Sequence, residues 1–187
     1  MVVWIVLAVL LGGGLLLLLW VVATYNRLVA LREAVRAGWA QIDVLLKRRY
    51  DLIPNLVETV KGYAAHERQT LEAVIAARAA AVAARTPEQA MAAEASLRGP
   101  LSRLLAVAEA YPDLKANQNF LQLQQELADT ENRIANERGG YNTTVQMYNT
   151  AVMSFPVNVI AGIGGFTPAA FFEVQDPVVR EAPAVRF

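Results

Sequence analysis

The chain has 187 residues, 55% of them hydrophobic, with 17 Lys plus Arg balanced by 17 Asp plus Glu and a single His. A formal net charge of zero leaves no electrostatic footprint for nucleic acid, and the lack of cysteine excludes both a disulfide framework and a lipid-modified cysteine. Once the apolar start is set aside, roughly 160 residues remain, enough for one domain with a full core.

Residues 1–26 carry no charged side chain, and Val2 to Ala23 is a run of 22 residues of mostly Val, Leu, Ile, Ala and Gly. As a helix it would reach about 33 Å, which covers a hydrocarbon core of about 30 Å. Trp4 and Trp20 are spaced to sit at the two headgroup levels, with Tyr25 just beyond. A cleaved signal peptide is the rival reading. Against it, the run exceeds an ordinary signal core, no Lys or Arg precedes it, and Val21-Val22-Ala23 is a weak cleavage match. Residues 1–24 are therefore expected to be a retained anchor. Gly12-Gly13-Gly14 lies inside it and follows no strand, so it predicts packing against another span or a bend and no phosphate loop.

Arg27, Arg32 and Arg36 flank the C-terminal side of the span, and no basic residue precedes it. The positive-inside rule then places the N-terminus outside and the following domain in the cytoplasm. The same three charges could lie against anionic headgroups or simply solvate a helix face. Further along, residues 27–49 hold six basic side chains against Glu33 and Asp43, while residues 109–137 hold six acids against Lys115 and Arg133.

From Leu28 the apolar positions follow helical spacing through Leu31, Val35, Trp39, Ile42, Leu46, Ile53, Leu56, Val60 and Tyr63. No turn signal separates this stripe from the anchor, which predicts one continuous rod. Pro54 predicts a kink or short break near residues 50–53. The stripe resumes through Leu71, Val74 and Arg78. Thr86-Pro87-Glu88 reads as a cap opening a helix to about Ala110, weakened at Gly99-Pro100 and stopped by Tyr111-Pro112-Asp113. A last long helix from about Ala116 has the clearest period: Phe120, Leu123, Leu127, Thr130, Ile134, Tyr141, Val145, Tyr148, Val152, Phe155. That period is close to a coiled-coil heptad seam. Gly139-Gly140 dents it, either as a flexible point or as a close backbone approach. Without strand alternation, the expected fold is all-α, an antiparallel bundle at residues 25–174 standing on the anchor, with 175–187 as a loose tail.

Between Arg138 and Glu173 no residue is charged. Residues 151–172 either cap the bundle or form a surface for a neighbouring subunit or the bilayer, with Phe155, Phe166, Phe171 and Phe172 as the apolar groups of that candidate interface. The amides of 117–127 and the pairs Tyr141-Asn142 and Tyr148-Asn149 suggest register-fixing hydrogen bonds in a helical seam. Convergent chemistry is missing. His66 has no second His at helical spacing, no Ser lies in a nucleophile elbow, and Asp43, Asp51 and Glu58 with Lys47, Arg48 and Lys61 read as surface pairs. No catalytic residue, metal site or cofactor is expected.

Tyr25-Asn26-Arg27-Leu28-Val29, Trp39-Ala40-Gln41-Ile42-Asp43-Val44, the segment from Leu46 through Ile53-Pro54-Asn55 to Val57, Ala110-Tyr111-Pro112-Asp113 to Asn117, Thr130-Glu131-Asn132-Arg133-Ile134, and Phe155-Pro156 through Gly165-Phe166 to Phe172-Glu173 together resemble the LemA family. The likeness runs through nearly the whole chain. It implies a bacterial inner-membrane protein with one span and a helical domain, with no established enzymatic activity. Its relatives include a magnetosome membrane protein linked to building membrane compartments, and members often occur beside a membrane metalloprotease or a TPM-type domain protein. The leading expectation is a membrane-anchored scaffold that self-associates as a homo-oligomer. The alternative is a monomeric adaptor or signalling module for a membrane protease or sensor.

Overall fold

Helix α1 (Val2–Lys61) is one run of 60 residues in the structure, a computed structural model that describes residues 1–173. It is followed by α2 (Arg68–Ala83), α3 (Pro87–Glu109), the single turn α4 (Pro112–Lys115), α5 (Gln118–Met153) and α6 (Val157–Ile163). No strand occurs among the described residues. The all-α class and the passage of the apolar N-terminal segment into the bundle without a break are as expected, while the tail reading for 175–187 lies outside the described residues.

The helix boundaries follow local chemistry. Thr86 is extended and its side chain accepts from the Gln89 amide at 3.2 Å, while Gln89 reaches back to the Arg85 amide at 2.9 Å, so two N–H groups that the helix start leaves unpaired are satisfied. Pro87 opens α3, where a missing N–H costs nothing. Asn117 accepts from the Phe120 amide at 3.1 Å and so starts α5. Helix α3 runs through Gly99-Pro100 and ends before Tyr111-Pro112, as expected, and Pro112 also opens α4. One expectation is corrected: the stripe after Pro54 ends at Lys61, where Gly62 and the turn to Glu67 reverse the chain before α2.

No break occurs at Pro54 either, and the reason lies in a second helix. Proline has no N–H to give the carbonyl four residues back, which is that of Tyr50. Arg78 of α2 supplies the missing donor, its Nε reaching the Tyr50 oxygen at 2.7 Å. The proline thus leaves a carbonyl open that α2 uses to dock on α1. A Pro54→Ala variant is expected to gain less than the roughly 3 kcal/mol that separates the two residues in a helix interior. Arg78→Met is expected to cost about 1–3 kcal/mol in the parent, where it orphans a carbonyl, and little in the Pro54→Ala background. A double-mutant cycle by denaturant unfolding checks this, and additive effects would contradict it.

The described residues form two compact units. One comprises Met1–Ala40 and Gly139–Phe171. In it α1 and α5 run antiparallel: Trp39 meets Tyr141 edge to face at 5.8 Å, while Trp20 and Thr24 share a groove with Thr150, Ser154 and Val157. The other unit comprises Gln41–Arg138 with Phe172 and Glu173. Its core is the expected stripe of α1 (Ile42, Leu46, Ile53, Leu56, Val60) closed by Leu71 and Val74 of α2, Leu97, Leu101 and Leu104 of α3, Leu114 of α4, and Phe120, Leu127 and Ile134 of α5. The heptad positions 120, 127, 134, 141 and 148 are all buried. Residues 2–20, Trp4 and Gly12–Gly14 included, are exposed along their whole length, and beyond the helix's own nearby backbone no described atom lies within 4 Å of where a Cβ would stand on any of the three glycines. Gly139 and Gly140 are open in the same sense, so no backbone approaches them among the described residues.

Candidate functional site

The unit that contains the apolar helix also holds the uncharged C-terminal segment, and the two meet through named contacts. After α5 the chain turns at Ser154, forms α6, and then runs without helix or strand from Phe166 to Phe172. The entry to this strap needs glycine twice. Gly165 takes φ +67°, a conformation that side chains disfavour, and a Cβ on Gly164 would stand 2.6 Å from the Phe166 ring. Phe166 is 5% exposed, packs edge to face on Tyr25 at 5.4 Å, and lies under the Arg32 guanidinium at 4.8 Å. That cation–π contact gives Arg32 a structural task.

The strap is held by the tyrosine and asparagine positions of α5. Asn149 grips Ala169 on both sides, its Oδ1 accepting from the amide at 2.8 Å and its Nδ2 donating to the carbonyl at 2.9 Å. Tyr148 donates to the Thr167 carbonyl and Tyr141 to the Ala170 carbonyl, each at 2.9 Å. Burial pushes the Tyr148 phenol up from its ordinary pKa. These three side chains therefore satisfy a backbone that has no ladder of its own. The sequence pattern marked Tyr148-Asn149 as a register device for a helical seam. The partner is a non-helical segment of the same chain, seven-residue spacing having placed both hydroxyls on one face.

The four candidate interface phenylalanines separate. Phe166 is buried as described. Phe172, in the other unit, is buried under Arg138 at 5.8 Å. Phe155 is 83% exposed and Phe171 is exposed to a lesser degree. The three flanking arginines differ as well. Arg36 pairs with Glu33 at 2.8 Å, Arg32 stacks on Phe166, and Arg27 lines an open groove of about 440 Å³ with Trp20, Thr24, Leu28, Met147 and Val157.

In the second unit a buried ion cluster ties three helices together. Arg49 of α1 sits 2.6 Å from Glu94 of α3 and 3.0 Å from Glu131 of α5, with Arg49 and Glu94 side chains only 7% and 10% exposed. The neighbouring Tyr50 hydroxyl and the second Glu94 oxygen are buried and interact electrostatically. Burial first, and then the Glu94 charge, push the Tyr50 phenol well above its ordinary pKa. Above about pH 10 the unfolded chain gives up this proton while the folded protein keeps it, so stability falls as pH rises. Tyr50→Phe is expected to leave stability near pH 7 almost unchanged and to flatten the decline above pH 10, measured by urea midpoints across the alkaline range. Of the expected surface pairs, Lys47–Asp43 (2.6 Å) and Lys61–Glu58 (3.6 Å) form, whereas Asp51 faces Arg78 of α2 at 3.9 Å. His66 is exposed and hydrogen-bonded to the Tyr111 hydroxyl.

The sequence model of the LemA family matches residues 38–187. The chain belongs to the LemA family. Relatives include magnetosome protein MamQ 2 of Paramagnetospirillum magneticum, 27% identical over 176 residues, covering 80% of this chain and 64% of that protein. Magnetosome protein MamQ of Magnetospirillum gryphiswaldense is 26% identical, covering 79% and 64%. Protein LemA of Metamycoplasma hominis is 25% identical, covering 81% and 69%. The chain thus spans 64% of the length of the MamQ relatives it matches.

Several segments that carry the LemA resemblance take part in the contacts above. Leu46–Val57 supplies Arg49, Tyr50 and Pro54, Thr130–Ile134 supplies Glu131, and Tyr25 meets the strap at Phe166. Sequence reasoning missed the Arg49 cluster because Lys47-Arg48-Arg49 reads as one solvated run. The available signal was the α1 stripe itself, since position 49 lies three residues past Leu46 on the buried face.

Proposed function

We propose that this LemA-family protein is a membrane-anchored helical scaffold that self-associates and organises membrane or partner proteins, with no catalytic step of its own. The observation that carries this reading is α1. Its first 19 helical residues are exposed and apolar, and the same helix continues without interruption into the buried core of both units. Residues 2–23 are long and apolar enough to cross a bilayer. The exposed Phe171 and the open Gly12–Gly14 face offer apolar and close-packing surfaces to further copies. Likeness to proteins named for the magnetosome supports a membrane-associated helical protein.

The test is size. Full-length protein in nanodiscs or detergent at micromolar concentration is expected to scatter light as an oligomer. A monomer would end the scaffold reading, and a monomer that captures one stoichiometric membrane protease or TPM-domain protein would make the molecule an adaptor. The proposed location is the bacterial inner membrane, N-terminus out and helical domain cytoplasmic, on the strength of Arg27, Arg32 and Arg36. A reporter fused after Phe187 is accordingly expected to be active in the cytoplasm, and periplasmic activity would reverse the orientation.

A further inference from the structure

We propose that the α5–α6 corner, residues 153–163, is a second membrane-contacting element that lies in the bilayer interface beside the span; this rests on α1 being a membrane anchor. Depth along α1 carries the argument. Ser154 and Val157 line the same groove as Trp20 and Thr24. Beyond the far end of α6, the Phe166 amide donates to the Ala161 carbonyl at 2.9 Å and the Phe166 ring stacks on Tyr25. Helix α6 is thus bracketed by a groove shared with Trp20 and Thr24 on one side and by the Phe166–Tyr25 contact on the other. Those residues occupy the end of the apolar run, with Trp20 and Tyr25 as rings suited to the headgroup level. Within this unit α5 runs antiparallel to α1, which brings its C-terminal corner beside residues 20–24 at the end of the span.

The chemistry of the corner fits that position. Phe155, Val159 and Ile163 recur every four residues and are 83%, 54% and 86% exposed, with Met153 exposed beside them. Ala161 points the other way and is buried. A soluble face would not hold four large apolar groups without one charged neighbour, yet residues 139–172 contain no Asp, Glu, Lys or Arg. Helical backbone in α6 pairs most of its own polar groups, as a segment at the acyl boundary requires. Arg27, lining the same groove, stands where headgroup phosphates would be. Lipid is the occupant favoured over a second copy because the patch is continuous with the span and shares its depth.

The natural absence of cysteine makes the test direct. Full-length Phe155→Cys, Val159→Cys and Ile163→Cys are each labelled with an environment-sensitive fluorophore and reconstituted into vesicles of phosphatidylglycerol and phosphatidylethanolamine. Leu11→Cys reports the span and Val82→Cys, an exposed position of the other unit, reports water. Labels at 155, 159 and 163 are expected to show blue-shifted emission, several-fold weaker iodide quenching than at 82, and quenching by lipids carrying a shallow spin label, whereas the label at 11 responds best to a deep one. A deep response at 11 with aqueous behaviour at 155, 159 and 163 would overturn the corner proposal and leave the anchor standing. Labels shielded from iodide but untouched by either lipid quencher would assign the corner to protein contact and also overturn it. Aqueous behaviour at 11 would remove the anchor and the proposal together.

Discussion

Arg49→Met is expected to destabilise the full-length protein by about 3–5 kcal/mol, the cost of leaving a buried charge without its partner. The stranded group is Glu94, whose side chain is 10% exposed and whose Oε2 loses a contact at 2.6 Å. Glu131 should suffer less, because half of its side chain already meets water. The decisive control is Arg49→Met combined with Glu94→Met, which replaces the pair by apolar groups of similar reach. Exchanging a whole buried ion pair for packed hydrophobes is often neutral or favourable, so the double variant should recover most of the loss. Urea unfolding followed by helical circular dichroism measures both. A single variant that loses less than about 1 kcal/mol would mean the cluster behaves as an ordinary exposed pair.

Phe166→Ala should cost a similar amount, about 3–5 kcal/mol, as for other phenylalanines removed from well-packed positions. Its ring fills the space between Tyr25 and the Arg32 guanidinium, and no neighbour on the strap can replace it. Phe155→Ala, at a site open to solvent, should change stability of the detergent-held protein by less than about 0.5 kcal/mol. The contrast separates a phenylalanine that holds the strap from one that faces outward. A further readout follows from the Asn149 clamp. With Phe166 gone, the Ala169 amide, which donates to Asn149 Oδ1, is expected to exchange with solvent faster, while amides in the middle of α3 stay protected. Equal losses for Phe166→Ala and Phe155→Ala would mean that the burial of Phe166 contributes nothing special.

Helix identity and most boundaries were readable in the one-dimensional pattern. A period near 3.6 marks the buried faces of α1 and α5, Thr86-Pro87 marks the start of α3, and 22 consecutive apolar residues mark a helix with no core to enter. These signals are local: each depends on the backbone geometry and hydrogen bonding of a few neighbouring residues. The turn at Gly62 was also local, and was hidden because the apolar spacing carries on through Tyr63.

Tertiary structure alone decided the partners. Periodicity says that Tyr148 and Asn149 face inward and is silent about what waits there, so a non-helical strap could not be told from a second helix. It likewise places Phe155 and Phe166 in one uncharged stretch, although one is exposed and the other buried. Nor does a proline in a stripe announce that Arg78, 24 residues further on, will bond the carbonyl the proline leaves open. A hydrogen bond or ion pair between distant segments depends on where the folded backbone puts two groups within about 3 Å, and residue order along the chain does not encode that distance.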